Sequence, residues 1–64
     1  MNKYNVYIVK IGGKAESIIG ENMSEERAEQ REMTGLSRVD RDNYFVGAYE
    51  VGSEMDLKFN QDLK

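Results

Sequence analysis

The arginines are the residues whose type and spacing most clearly suggest chemistry. At about 100° per residue on a helix, Arg27, Arg31 and Arg38 lie within about 40° of one another. A guanidinium presents a planar fork of donors that matches carboxylates and phosphates in a bidentate way. This spacing predicts a partner-binding surface that includes Arg27, Arg31 and Arg38, with Arg41 nearby as a fourth contact.

Glutamates form a second stripe on the same segment. Glu25, Glu29 and Glu32 flank its apolar face, and none of them stands three or four residues from an arginine. Opposite charges at those spacings would each add about 0.2–0.5 kcal/mol to helix stability, and like charges cost about as much. In one interpretation these charges form a solvated face, and Arg38 or Arg41 pairs with acids in the loop at 40–43 or on the sheet. In the other, the arginines meet an acidic surface on a partner protein, a second subunit or a nucleic acid.

The charge balance favours a protein partner. The net charge is −3, and the glutamates beside the arginines would repel phosphates. Nucleic-acid or nucleotide binding through the same arginines is the alternative. Tyrosines on the strands offer stacking surfaces for bases, but the strands carry few basic residues. Core or interface roles therefore suit the tyrosines better.

Several kinds of site lack their usual residues. The chain has no His and no Cys, so a nucleophile with an imidazole base, a thiolate metal site and a disulfide are all excluded. The Gly12-Gly13-Lys14 segment lacks the spacing of a phosphate loop, and the acidic loop at 40–43 lacks the Gly and closing Glu of a calcium loop. We expect a protein that is not an enzyme and holds no cofactor or metal.

Hydrophobic patterning predicts the elements that position the arginines. One domain over 1–64 is expected, because the chain is short. It is of the α+β class: a three-stranded antiparallel sheet (hairpin, helix, strand; order 2-1-3) with one packed helix and a short amphipathic C-terminal helix at 53–64. The predicted elements are strands at 4–11, 16–20 and 44–51, a Gly-Gly turn between the first two, a helix from N-cap Ser24 to residues 34–38, and a second helix capped by Ser53.

The first helix is expected to pack on the sheet through one apolar face. Ala28, Gly35, Leu36 and Val39 recur at helical spacing on that face. Gly35 either ends the helix or marks a close approach to a strand.

Oligomerisation is the expected source of extra stability. A domain this small buries only about 60% of its unfolded surface and usually needs a disulfide, metal or oligomer. We therefore expect a homodimer, with a marginal monomer as the alternative. Both faces of the strands are apolar, so either the C-terminal helix of the same chain or a second copy must cover the second face. The predicted oligomer interface consists of Tyr49, Met55, Phe59 and Leu63.

Three segments carry a resemblance to known proteins. Tyr4–Val9, Ser24–Arg31 and Asn43–Val51 resemble small accessory proteins of bacteriophages, which combine a hairpin, a capped helix of the SEE type and a strand of the YFV kind. The resemblance implies a protein that binds and blocks one host or defence protein. The sequence shows no apolar run of membrane-spanning length and no signal-peptide pattern, so a cytoplasmic location is expected.

Overall fold

The computed structural model describes residues 2–64 as a three-stranded sheet with a helix on each face. The elements are β1 (Tyr4–Lys10), β2 (Lys14–Met23), α1 (Glu25–Leu36), β3 (Tyr44–Glu50) and α2 (Glu54–Asp62). The strands are antiparallel in the order β2-β1-β3. The predicted fold class and strand order are therefore confirmed.

The hairpin of β1 and β2 is longer than the sequence predicts. Gly12 and Gly13 form its turn with φ values of +119° and +99°, which only glycine adopts without strain. β2 pairs with the whole of β1, from Lys14 to Met23. Three register shifts interrupt the pairing, and near its end Asn22 has a positive φ of 52°. These irregularities bend β2 away from a flat strand.

Helix α1 begins as predicted. The Ser24 Oγ accepts a hydrogen bond from the Arg27 N–H at 3.3 Å, and the helix ends at Leu36 with Ser37 as its C-cap. Gly35 lies inside the helix, where a Cβ would come within 2.8 Å of Ile19 Cδ1. Gly35 therefore marks a close approach to the sheet and does not end the helix. On this face of the sheet, Val6 of β1 and Val46 of β3 pack against Ala28 of α1, and partly buried residues surround them.

Helix α2 covers the opposite face of the sheet within the same chain. Phe59 packs there with Tyr7, Val9 and Ala15. The predicted N-cap is confirmed, since the Ser53 Oγ accepts from the Asp56 N–H at 3.3 Å. The C-terminal helix thus supplies the second layer in cis, an arrangement that the sequence left open. Across residues 2–64, no helix is long and apolar enough to cross a membrane.

Candidate partner-binding groove

A groove runs along the side of α1 that faces β2. Its central depression has a volume of about 490 Å³ and includes Arg27 and Arg31. A second depression, of about 200 Å³, continues past Arg31 to Arg38 over an apolar floor. We call the two together the arginine groove. Its lining residues are Ile8, Ile19, Met23, Arg27, Gln30, Arg31, Thr34, Gly35, Arg38 and Val39.

The local fold explains why these arginines share one flank. The Ser24 cap sets where α1 begins, and the spacing of four residues from Arg27 to Arg31 repeats the same side of the helix. Arg38 follows the C-cap Ser37, in the turn where its N–H donates to Gly35 O at 3.0 Å, and it lines the second depression together with Arg31. Gly20 of β2 makes room for Met23, whose Sδ a Cβ there would overlap, and the same Cβ position lies at ordinary contact distance, 3.5 Å, from Arg31 Cγ. The stem of Arg31 therefore rests against the sheet.

The three groove arginines expose their charged ends. Arg27, Arg31 and Arg38 are all exposed. Among the side-chain hydrogen bonds of residues 2–64, Arg41 is the one arginine whose guanidinium donates, from Nε to Leu36 O at 3.1 Å. Arg41 therefore holds the C-terminal end of α1, and the structure does not bring it into the groove lining.

In the acidic loop beside Arg38, the Asp40 carboxylate accepts hydrogen bonds from residues of the same loop. Asp40 Oδ1 accepts from the Asp42 N–H at 3.0 Å, and Asp40 Oδ2 accepts from Asn43 Nδ2 at 2.6 Å. This loop was the place where the solvated-face interpretation expected a partner for Arg38 or Arg41. Its carboxylate instead builds the turn that leads into β3.

The glutamates occupy the other flank of α1. Glu25, Glu29 and Glu32 line a depression of about 180 Å³ with Tyr4 and Ala48, on the side that faces β3. Helix α1 therefore carries its positive charges toward one edge of the sheet and its negative charges toward the other. Acidic residues also border the ends of the groove, with Glu21 near Arg27 and Glu16 near Arg38.

The residues predicted for an oligomer interface lie mostly in the intrachain core. The ring centroid of Phe59 is 5.2 Å from that of Tyr49 and 5.6 Å from that of Tyr7. Phe59 is 1% exposed, and Leu63 packs against the same cluster, whereas Met55 is exposed. Phe59 thus offers no surface to a second copy in this fold. An interface at the remaining three residues stays a prediction.

A buried polar network that the sequence did not predict fixes α2 to β1. Asp56 Oδ1 accepts from the Tyr7 hydroxyl at 2.6 Å and from Asn5 Nδ2 at 2.7 Å. Asp56 Oδ2 accepts from the Gly52 N–H at 2.9 Å. Asn5 Oδ1 accepts from the Asn22 N–H at 2.9 Å, so the network also reaches the irregular end of β2. Asn5, a polar residue inside an apolar strand, was the one sequence signal for it.

The network shifts the acidity of its two titratable groups. Burial alone raises the pKa of Asp56, but the hydrogen bonds from Tyr7, Gly52 and Asn5 outweigh burial, so the pKa lies below its ordinary value of 3.8. Burial raises the pKa of the Tyr7 hydroxyl above 10.0, and the adjacent Asp56 carboxylate adds to the rise. Asp56 is therefore ionised and Tyr7 neutral at pH 7. Both are buried, and the hydrogen bond between them joins α2 to β1.

Neither metal-ligand geometry nor comparison with known proteins points to a further site. Within the described residues 2–64, no group of three or more acidic, His or Cys side chains is placed to hold a metal ion. Comparison of the chain with protein-family models, curated proteins and solved structures gave no match. The arginine groove is therefore identified as a candidate site from its own geometry and charge.

Proposed function

We propose that the protein is a small non-enzymatic protein-binding module whose arginine groove holds an acidic segment of a partner protein. The observation that carries the proposal is the row of exposed guanidiniums at Arg27, Arg31 and Arg38, which donate no hydrogen bond within the described part of the chain. The apolar floor beneath them includes Ile19 and Val39. This combination suits a segment that bears both carboxylates and apolar side chains.

The way the module acts is proposed from the resemblance to bacteriophage accessory proteins. A protein of that kind blocks a bacterial host or defence protein by covering part of its surface. Such inhibition needs a contact surface and no reacting group, which agrees with a chain that lacks His and Cys.

Nucleic-acid binding is the second candidate, and one observation favours it. Lys3 lines a depression that adjoins the groove at Arg27, and it extends the positive surface. Glu21 lines the same depression, however, and Glu16 borders Arg38 at the other end. A phosphate backbone that follows the groove would meet both carboxylates, so a protein segment fits better.

The test compares one groove variant with one matched control. The groove variant replaces Arg27, Arg31 and Arg38 with alanine, and the control is Arg41→Ala, which removes an arginine outside the groove. Fluorescence anisotropy measures binding to a labelled peptide that alternates Glu and Leu, to its Lys-for-Glu counterpart and to single-stranded DNA and RNA. Quantitative capture from a bacterial lysate compares the same proteins, and circular dichroism confirms that each variant folds.

We expect the wild type and Arg41→Ala to bind the acidic peptide alike. The groove variant should bind at least about ten-fold more weakly, because charge-assisted hydrogen bonds are lost. Equal binding by the groove variant in both the peptide and the lysate assays would contradict the proposal. Tighter binding to DNA or RNA, with a steep loss on adding salt, would replace it with the nucleic-acid alternative.

A further inference from the structure

The outer edge of β3 is open and lacks the features that usually protect an edge strand. β3 pairs with β1 along its whole length without a register shift, whereas β2, at the other edge, has three shifts. β2 also carries Lys14, Glu16 and Glu21, while β3 has one charged residue, Glu50, at its end. Natural edge strands are usually protected by bulges, charges or prolines, because a bare edge pairs with another strand.

The hydrogen bonds at the two ends of β3 show which backbone groups face outward. The Val51 N–H donates to Lys3 O and the Ile11 N–H donates to Asn43 O, both at 2.8 Å and both between directly opposed residues. Opposed residues in an antiparallel ladder alternate between bonded and non-bonded pairs. The backbone groups that point away from β1 therefore belong to residues 44, 46, 48 and 50.

Two of these outward groups already have partners within the chain. The Tyr44 N–H donates to Asp40 O at 2.8 Å, and Glu50 O accepts from the Ser53 N–H at 3.0 Å. The other outward groups make no hydrogen bond within residues 2–64. They are the C=O of Tyr44, the N–H and C=O of Val46, the N–H and C=O of Ala48, and the N–H of Glu50.

We propose that β3 pairs antiparallel with β3 of a second copy, about a two-fold axis at Gly47, so that the two sheets become one. In this register Val46 lies opposite Ala48 of the second copy and exchanges both hydrogen bonds with it. Tyr44 lies opposite Glu50, whose free N–H donates to the free C=O of Tyr44. The groups left facing each other, the Tyr44 N–H and the Glu50 C=O, are the two that already have intrachain partners.

The side chains of β3 are complementary to themselves in the same register. The strand reads YFVGAYE, so Phe45 lies opposite Tyr49 of the second copy on the face that carries α2. Phe45 is 37% exposed in the single chain, and an aromatic cross-strand pair would cover it. Tyr49 already leans over Gly47, where a Cβ would lie 2.9 Å from Tyr49 Cε2. This self-complementarity is why the proposed occupant is a second copy of this chain.

The proposal goes beyond the partner-binding function and uses different residues. The arginine groove lies between α1 and β2, whereas the interface lies at β3, on the other edge of the sheet. Failure of one proposal therefore leaves the other standing.

Sedimentation equilibrium over a wide concentration range and amide hydrogen exchange by NMR test the interface. We expect a reversible dimer, because an edge of seven residues is a small interface. In the dimer the amides of Val46, Ala48 and Glu50 should exchange slowly, and dilution should remove that protection. The amides of Gly47 and Tyr49 face β1 and should stay protected at every concentration.

The variant Phe45→Lys places a charge on the proposed interface, and Met33→Lys is the matched control. Met33 is an apolar side chain, 72% exposed, that lies on α1 and outside the paired strand. Phe45→Lys should weaken dimerisation by about ten-fold or more, while Met33→Lys should leave it unchanged. A monomer at all concentrations would overturn the proposal. A dimer whose Val46, Ala48 and Glu50 amides exchange freely would also overturn the proposal. That measurement is made on the wild-type chain alone.

Discussion

Replacing Tyr7 with phenylalanine tests whether the buried network holds α2 on the sheet. The substitution keeps the ring in the cluster with Phe59 and leaves no cavity, but it removes the hydroxyl that donates to Asp56 at 2.6 Å. A hydrogen bond to a charged group contributes about 1.5–3 kcal/mol. Asp56 keeps its bonds from Asn5 and Gly52, so the expected loss in the free energy of unfolding is about 2 kcal/mol at pH 7.

That loss is large for a chain of this length. At roughly 0.05–0.15 kcal/mol per residue, the whole domain has a stability of about 3–10 kcal/mol. In a domain of this size each kcal/mol moves the Tm by about 4–8 °C, so we expect a fall of about 10 °C. Urea unfolding and thermal melts followed by far-UV circular dichroism measure both quantities. Tyr44→Phe is the control, since the Tyr44 hydroxyl makes no hydrogen bond in the described part of the chain.

The same variant should change how stability depends on pH. The folded pKa of Asp56 is lowered, so its stabilisation is present above the unfolded pKa of about 3.8 and is lost as pH falls through the lower folded pKa. Tyr7→Phe removes one cause of the lowered pKa, so stability should fall less on acidification than in the wild type. A variant within about 0.5 kcal/mol of the wild type at pH 7, with the same acid profile, would refute the reasoning.

Three further substitutions test the rest of the fold. Phe59→Ala should destabilise the domain by about 3–5 kcal/mol in urea unfolding, because it opens the core under α2; a loss below about 1 kcal/mol would mean that α2 is not docked in solution. Ser53→Ala should cost about 1 kcal/mol, since the cap bond to the Asp56 N–H is lost, and an unchanged melting temperature would argue against the cap. Gly35→Ala should lower stability by about 1 kcal/mol, since a contact of 2.8 Å with Ile19 outweighs the gain in helix propensity; a more stable variant would show that the sheet yields easily.

Local signals in the sequence were enough to predict most of the fold. Apolar residues on both faces of β1 predicted a central strand, Gly12 and Gly13 predicted the hairpin turn, and Ser24 and Ser53 predicted the starts of both helices. Each of these depends on residues close together in the chain. The sequence also predicted that the second face of the sheet needs a cover, but not which chain supplies it. An amphipathic helix buries the same stripe in cis or in trans.

The parts that could not be predicted depend on contacts between distant residues. Asp56 lies three residues after the cap Ser53, yet its side chain bonds to Asn5 and Tyr7, which are about fifty residues away in the chain. Gly47 lies in β3, and the Tyr49 ring occupies the space that its Cβ would need, a contact that depends on the conformation of the tyrosine side chain. Helical periodicity predicted three arginines on one flank, but Arg38 and Arg41 both follow the end of α1. Arg38 still lies beside the groove, whereas Arg41 donates to Leu36 O.

The two proposals predict opposite responses to salt, because the charges of α1 are sorted onto two flanks. Pairing at β3 would place the glutamate flanks of two α1 helices on the same face of the joined sheet, facing each other across the axis. Three strand spacings of about 4.8 Å would separate the two β1 strands by about 14 Å, and the facing glutamates, which lie on the β3 side of each α1, would be closer together than that. The glutamates would therefore repel each other, and the repulsion is weaker in 0.1 M salt, where the Debye length is about 10 Å, than in dilute buffer. Salt should therefore strengthen the dimer, whereas it should weaken the binding of an acidic segment in the outward-facing arginine grooves. If salt strengthened or weakened both dimerisation and the binding of the acidic segment, the sorted charges would govern at most one of the two contacts.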